Sequence, residues 1–324
     1  MRRLTCLIIF CCISTIGCSR QPTLAEWQRS NAFELLEQKK FDAALDAFNG
    51  LLDAAPHDPA LRLAKVRCRV GKKQTDKAIT ELDGLLQAHP DYAAAFELRG
   101  RCRLAKDDFE AALVDFNRAV ALEPDNVGHL FGRGQAYLKL GRADEAIADL
   151  DALIPHDPKT ALLYRSRGQA HNLKHDYDCA ITDLDTAIRL DPNSSEAYYS
   201  RAIAAEGKEQ WDDAIRFYGE TVRVDPRDWM AYAKRGAARF DQGDVRGAIA
   251  DYDEAVRINA NVARVFVLHS QAHIQLNEYQ RAFEDYEQAI RLDPNLKRKI
   301  DEANEGKPKR SPARLAHRAN HGPT

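Results

Sequence analysis

Arg189-Leu190-Asp191-Pro192 and Arg291-Leu292-Asp293-Pro294 are the same punctuation written twice, an apolar-basic stretch stopped by an acid and a proline. Proline cannot continue a helix, because it lacks the N–H and its ring crowds the preceding turn. Working outward, prolines stand at 56, 90, 124, 158, 192, 226 and 294, one series with a step of 34 in which Ala260 fills the single gap. A spacing that never drifts marks a tandem repeat, so the 324 residues are read as an array before any division into ordinary domains.

Setting the proline at position 32 of each unit aligns the rest. Position 20 is alanine in every copy: Ala44, Ala78, Ala112, Ala146, Ala180, Ala214, Ala248 and Ala282. Position 8 is small in Ala32, Gly100, Gly134, Gly168, Ala202, Gly236 and Ser270, with Val66 the exception, so two helices should approach closely there. Position 24 supplies bulk through Phe48, Leu82, Phe116, Leu150, Leu184, Tyr218, Tyr252 and Tyr286. Position 15 includes Gly141, Gly243 and Asn277, residues that tolerate a left-handed helix end. Each unit therefore reads as a helical hairpin that cannot bury its apolar face alone and must stack on its neighbours.

The period and these positions resemble the tetratricopeptide repeat. The resemblance implies an all-α fold, a right-handed superhelical solenoid of antiparallel helix pairs over 25–296. Its eight units are 25–58, 59–92, 93–126, 127–160, 161–194, 195–228, 229–262 and 263–296. A capping helix is expected over 295–305, where Leu296, Ile300 and Ala303 recur at helical spacing.

Position 7 departs from the leucine usual in that family. It is Arg99, Arg133, Arg167, Arg201 and Arg235, and position 23 answers with Asp115, Asp149, Asp183, Asp251 and Asp285, while Lys65 and Glu81 make the same exchange in the second unit. Charges between helices are normally paired, so these positions are read as a ladder of ion pairs, with Phe217 and His269 breaking the rule.

The N-terminus is Met1-Arg2-Arg3 followed by an apolar run to Gly17, too short for a helix that spans a bilayer and of the form of a secretion signal. The Gly17-Cys18 junction resembles the lipobox of bacterial lipoproteins. That resemblance implies a signal peptide over 1–17, removal before Cys18, acylation of Cys18 by palmitate-type chains, and a short linker over 18–24. Ser19 follows the cysteine, which favours the outer over the inner membrane of a bacterial cell envelope.

Of seven cysteines, only Cys68, Cys102 and Cys179 fall in the repeats; an odd count excludes a disulfide framework, and all three read as small packing residues. The net charge of −2 hides an asymmetry between acidic repeats and a basic segment over 306–324, with Lys307, Lys309, Arg310, Arg314 and Arg318 and no acid. That tail reads as disordered, and as a contact for wall polymer or anionic lipid if it has a partner. Export disfavours nucleic acid, and none is expected as a partner.

No stretch carries a glycine-rich phosphate loop, paired Cys-x-x-Cys or a serine in a nucleophile elbow, so no catalysis and no cofactor are expected. His171 with His175, and His269 with His273, lie one helical turn apart, but no third ligand follows at a suitable spacing, and no metal is assigned. The family resemblance implies an inner groove built from positions 2, 5, 9, 12 and 13. On this chain the contact residues are Arg67, Arg101, Phe131, Gln135, Arg165, Gln169, Asn172 and Tyr199, basic with apolar neighbours at first and more acidic from Glu196 onward. The expected function is a non-catalytic, lipid-anchored scaffold that holds protein or peptide segments for assembly of envelope complexes. The alternative is a polyanion-binding tether acting through the tail.

Overall fold

A computed structural model of the chain describes residues 23–296 and 298. Among these there are sixteen α-helices and no strand. They fall into two compact units, one ending at Lys106 and one starting at Asp107. The first holds α1 (Leu24–Glu37), α2 (Phe41–Ala54), α3 (Pro59–Gly71), α4 (Thr75–Ala88) and α5 (Ala93–Leu104). The second holds α6 (Phe109–Leu122), α7 (Val127–Lys139), α8 (Ala143–Leu153), α9 (Ala161–Leu173), α10 (Tyr177–Leu190), α11 (Ser195–Gly207), α12 (Trp211–Val224), α13 (Trp229–Gln242), α14 (Val245–Ile258), α15 (Ala263–Gln275) and α16 (Tyr279–Leu292).

Within each unit consecutive helices pack on one another, and short turns make them antiparallel hairpins. The odd-numbered helices also touch: α1 meets α3, α7 meets α9 and α9 meets α11. First helices of successive repeats thus lie side by side and form one face. This is an all-α solenoid of stacked helix pairs.

The close approach falls where the alanines stand. All eight position-20 alanines are completely buried, and seven of the eight position-24 side chains are buried to 1% exposure or less, Tyr286 being the looser one. Position 8 sits against the position-20 carbonyl of its partner helix. In the last hairpin the Ser270 hydroxyl donates to the Ala282 carbonyl at 2.7 Å, and a methyl group built on Gly168 or Gly236 would lie 3.3 or 3.2 Å from the carbonyl of Ala180 or Ala248.

The turn inside each hairpin is more uniform than its residues suggest. Position 15 has a positive φ in every unit, from 57° at Lys39 to 95° at Gly243, and the residues there include Lys73, Asp107, His175 and Glu209 as well as the glycines and Asn277. The N–H of the next residue bonds back across the turn, as Gln210 does to the Ala205 carbonyl at 2.9 Å and Glu278 to that of His273 at 2.9 Å. This is a Schellman closure, which satisfies carbonyls that the helix end would leave bare.

Cys68 and Cys102 are buried and free, in keeping with packing roles, whereas Cys179 is exposed and does not pack as expected. Burial pushes the Cys68 thiol up to about 11. No described helix is long and apolar enough to cross a membrane. The signal, Cys18, most of the linker, the tail and the capping helix beyond Arg298 lie outside the described residues, while Asn295, Leu296 and Arg298 are helical.

Candidate interaction surface

Two ladders of charge fix the hairpins that present the surface. The first is the pairing expected between positions 7 and 23. Arg133 grips Asp149 through two hydrogen bonds of 2.8 and 2.6 Å, Arg167 grips Asp183 through two of 2.7 Å, and Arg235 reaches Asp251 at 2.6 Å. The carboxylates are almost wholly buried, so their guanidinium partners supply the hydrogen bonds that water otherwise would.

The ladder also runs between successive repeats, through aspartates at position 25. Arg167 reaches back to Asp151 at 2.5 Å, Arg99 to Asp83 at 2.6 Å and Arg201 to Asp185 at 2.8 Å. Arg201, whose position-23 neighbour is Phe217, stacks over that ring at 4.4 Å instead of finding an aspartate there. The second repeat corrects the expected exchange, because Glu81 is held at 2.6 Å by Arg69, one turn along α3, rather than by Lys65. A second, exposed ladder joins Lys72 to Asp42, Lys106 to Asp76, Lys174 to Asp144 and Lys208 to Asp178.

Between the first helices lie concavities. In the first unit one of about 490 Å³ is lined by Arg67, Val70, Glu97, Leu98, Arg101 and Cys102 among others. Arg101 leans toward Glu97 at 3.5 Å. In the second unit one of about 470 Å³ is lined from α7, α9 and α11 by Gln135, Leu138, Lys139, Arg165, Gln169, Asn172, Leu173, Glu196, Tyr199, Ser200 and Ile203. Seven of the eight residues expected at the groove line one or the other. Phe131 is not among them; it packs half-buried against Leu150, Leu153 and Leu163.

Several of these side chains already have work inside the fold. Gln135 donates to the Ser166 hydroxyl at 2.8 Å, and Gln169 donates to that of Ser200 at 3.2 Å. The Asn172 amide donates to the Ser200 carbonyl at 2.8 Å, and Arg165 lies 3.3 Å from the Glu196 carboxylate. These bonds tie α7 to α9 and α9 to α11. The serines at position 6, which sequence reasoning passed over, are their receptors.

What remains open is specific. Arg165 Nε, a donor, and Asn172 Oδ1, an acceptor, are buried in this lining and have no hydrogen-bond partner among the described residues. Beside them Tyr199 stacks edge-on against Tyr218 at 5.5 Å, and its phenol is pushed up to about 12 by burial and by the carboxylates of Asp228 and Glu206. The Tyr218 hydroxyl donates to Glu206 at 2.6 Å, and Lys234 holds the same carboxylate at 2.8 Å. The floor is thus tied together by hydrogen bonds and the rim is polar, an arrangement suited to gripping a chain.

Stacked hairpins with a lined concave face define a helical-repeat interaction scaffold. Tetratricopeptide repeat family models match residues 35–102, 100–161, 131–195, 165–218, 199–263 and 263–296, and the chain belongs to the tetratricopeptide repeat family. Proteins of this family are generally non-catalytic and bind protein partners.

Solved structures share the fold. A tetratricopeptide repeat protein from Parabacteroides merdae is 22% identical with a TM-score of 0.59, the likeness covering 72% of this chain and 93% of that one. The Cut9–Hcn1 hetero-tetramer of the APC/C matches at 16% identity and a TM-score of 0.61 over 91% of this chain and 55% of that one. PilF of Pseudomonas aeruginosa matches at 16% identity and a TM-score of 0.55 over 65% of this chain and 97% of that one. At these identities the likeness is one of fold. No curated protein matches the chain.

Proposed function

We propose that the chain is a non-catalytic scaffold of a bacterial cell envelope, anchored by acyl chains on Cys18 to the outer membrane, whose concave face holds extended protein segments during assembly of envelope complexes. The observation that carries the binding site is the pair of open groups in the second unit. Both atoms are shielded in the unbound lining, so their side chains must rotate to meet a segment, Arg165 Nε then donating to a peptide carbonyl and Asn172 Oδ1 accepting from a peptide N–H, while Leu138, Leu173 and Ile203 offer apolar contact for side chains. A buried polar group without a partner costs on the order of 1–3 kcal/mol, so a segment that satisfies both regains that cost on binding.

The Gly17-Cys18 junction and the apolar run before it support the anchor and the location. Mechanism here means positioning: the linker over 18–24 spans at most about 25 Å, which keeps the first repeat near the bilayer. Photo-reactive residues at Lys139 and Leu173, in intact envelopes, test the groove against one at Val114, an exposed position on α6. Adducts from the two lining positions alone support the reading, and equal adducts from all three count against it.

The basic segment over 306–324 supports a second reading, a tether for anionic lipid or wall polymer. Deleting 306–324 separates the two. Under the groove reading partner capture survives the deletion, and under the tether reading every association is lost.

A further inference from the structure

In the seventh and eighth units positions 7, 11, 16 and 23 meet at the mouth of the hairpin, with acids at 16 and 23 in both but different bases at 7 and 11. In the seventh, Arg235 and Arg239 both bond to the buried carboxylate of Asp251, at 2.6 and 2.8 Å, so permanent cations saturate it. In the eighth, the same two positions hold His269 and His273, and imidazole carries no permanent charge. The carboxylate between them, Asp285 Oδ2, lies 3.3 Å from His269 Nδ1 and 3.8 Å from His273 Nε2, yet it makes no hydrogen bond among the described residues.

We propose that His269, His273 and Asp285 form a binding site for a divalent transition-metal ion of the zinc class. One ligand atom from each residue lies within 4.8 Å of those from the other two. Donors about 2.0–2.2 Å from a tetrahedral ion stand on the order of 3.3 Å apart, which the His269–Asp285 separation already meets and the His273–Asp285 separation approaches. Two nitrogens and one carboxylate oxygen are the donor set of an open zinc site, with the fourth position left for water.

Three further features point to a cation. Both histidines are more than nine-tenths buried, and the imidazole rings stand with centroids 4.5 Å apart at the mouth of one hairpin. The outward nitrogen of His273, Nδ1, is bonded at 2.7 Å to Glu278, the carboxylate–histidine pairing that fixes the tautomer and leaves Nε2 with its lone pair toward Asp285. His269 Nε2 has no hydrogen-bond partner of its own and faces Asp253 at 3.6 Å, where a second carboxylate would support a ligating ring. An ion there joins α15 to α16 and so pins the last described hairpin.

The other pair one helical turn apart, His171 with His175, does not converge. His175 turns away to Tyr177 at 2.7 Å, and His171 instead gathers with Asp176 and the exposed Cys179. There the Asp176 carboxylate is 45% exposed to water, so that trio lacks the buried, unsatisfied oxygen.

The test is a calorimetric titration of the detergent-solubilised full chain, stripped with chelator, using zinc chloride alone, with cobalt as a spectroscopic stand-in. The wild type is expected to take up one equivalent dependent on this cluster, to give the visible bands of a four-coordinate cobalt centre, and to melt at a higher temperature with zinc. His269→Arg places at position 7 the cation that Arg235 supplies in the neighbouring unit, and so should stay folded while losing that equivalent. Asp285→Asn should lose it as well, and Glu278→Gln should weaken it by about 10–100-fold. Absence of binding in the wild type, undiminished binding in His269→Arg, or loss of the equivalent in Cys179→Ser instead would each overturn the proposal.

Discussion

The guanidinium of Arg133 closes a two-bond fork on Asp149, 16 residues ahead of it on the partner helix, with Nε and Nη2 at 2.8 and 2.6 Å from the two carboxylate oxygens. Asp149 is only 5% exposed, and the geometry leaves a buried anion stranded if the arginine is lost. Arg133→Ala should destabilise the chain by roughly 3–5 kcal/mol, read from the shift of a urea unfolding curve. Replacing both partners with apolar residues of similar volume should recover most of that loss. Removing a lysine of the exposed ladder, such as Lys72, should by contrast move the curve little, because water and salt screen such pairs.

Position 15 offers stabilisation by substitution. Lys39 and Glu209 hold a positive φ of 57° that costs an L-residue about 1–2 kcal/mol and costs glycine little. Lys39→Gly and Glu209→Gly should each raise stability by about 1 kcal/mol, and Gly141→Ala, at φ 71° with open space around it, should lower it by a similar amount. Thermal melts of the three variants check the sign.

Gly134 and Gly168 stand at the same position of adjacent units and should respond differently to a methyl group. On Gly134 it would meet Asp149 and Leu150 at 3.7 and 3.8 Å, ordinary contact, whereas on Gly168 it would press to 2.6 Å from the fully buried Leu184. Gly134→Ala is expected to be neutral or to gain up to about 1 kcal/mol of helix propensity, while Gly168→Ala should cost about 1–3 kcal/mol through overpacking. Equal effects in chemical denaturation would contradict this account of the interface.

Burial raises the phenols of Tyr199, to about 12, and of Tyr218 and Tyr252. In the unfolded chain a phenol ionises near pH 10, so above that the unfolded state binds fewer protons than the folded one. The stability these groups confer is full below about pH 10 and is lost as pH rises through the folded value, by up to about 1.4 kcal/mol per pH unit for each tyrosine. Urea midpoints should fall between pH 9.5 and 11.5, and the share of tyrosinate absorbance due to these three phenols should appear only with unfolding. A midpoint that stays level over that range would remove the claim.

The fold was legible because repetition averages out noise. Ala44 alone says nothing, but eight alanines at one register position, all fully buried, can only mark a helix contact. The left-handed turns were legible at Gly141, Gly243 and Asn277 and hidden at Lys39, Lys73 and Glu209, where packing imposes the conformation and no residue preference announces it. The ladder was half legible. Own-unit pairs such as Arg133 with Asp149 follow from covarying register positions, but the reach of Arg167 back to Asp151 depends on how one unit is set on the next, which a one-unit alignment does not contain.

The interaction surface was the least legible part. The family pattern led to seven lining residues, yet it could not foresee that Gln135 and Gln169 are bound to serines of the following first helix, or that Phe131 faces the hairpin core. Likewise Asp285 comes between His269 and His273 from the opposite helix, a convergence with no signature in local spacing.

The central claim is that the concave face of the second unit holds a peptide backbone through Arg165 and Asn172. Its most direct test is the yield of partner crosslinks from Leu173, compared between the wild type and Asn172→Leu, a change that removes the open acceptor and adds apolar surface of similar size. The account predicts a fall of about tenfold, the loss of one backbone hydrogen bond of roughly 1.4 kcal/mol, beyond a shift of the unfolding curve of about 1 kcal/mol from losing the Asn172 bond to the Ser200 carbonyl. A yield that is unchanged or increased would contradict it.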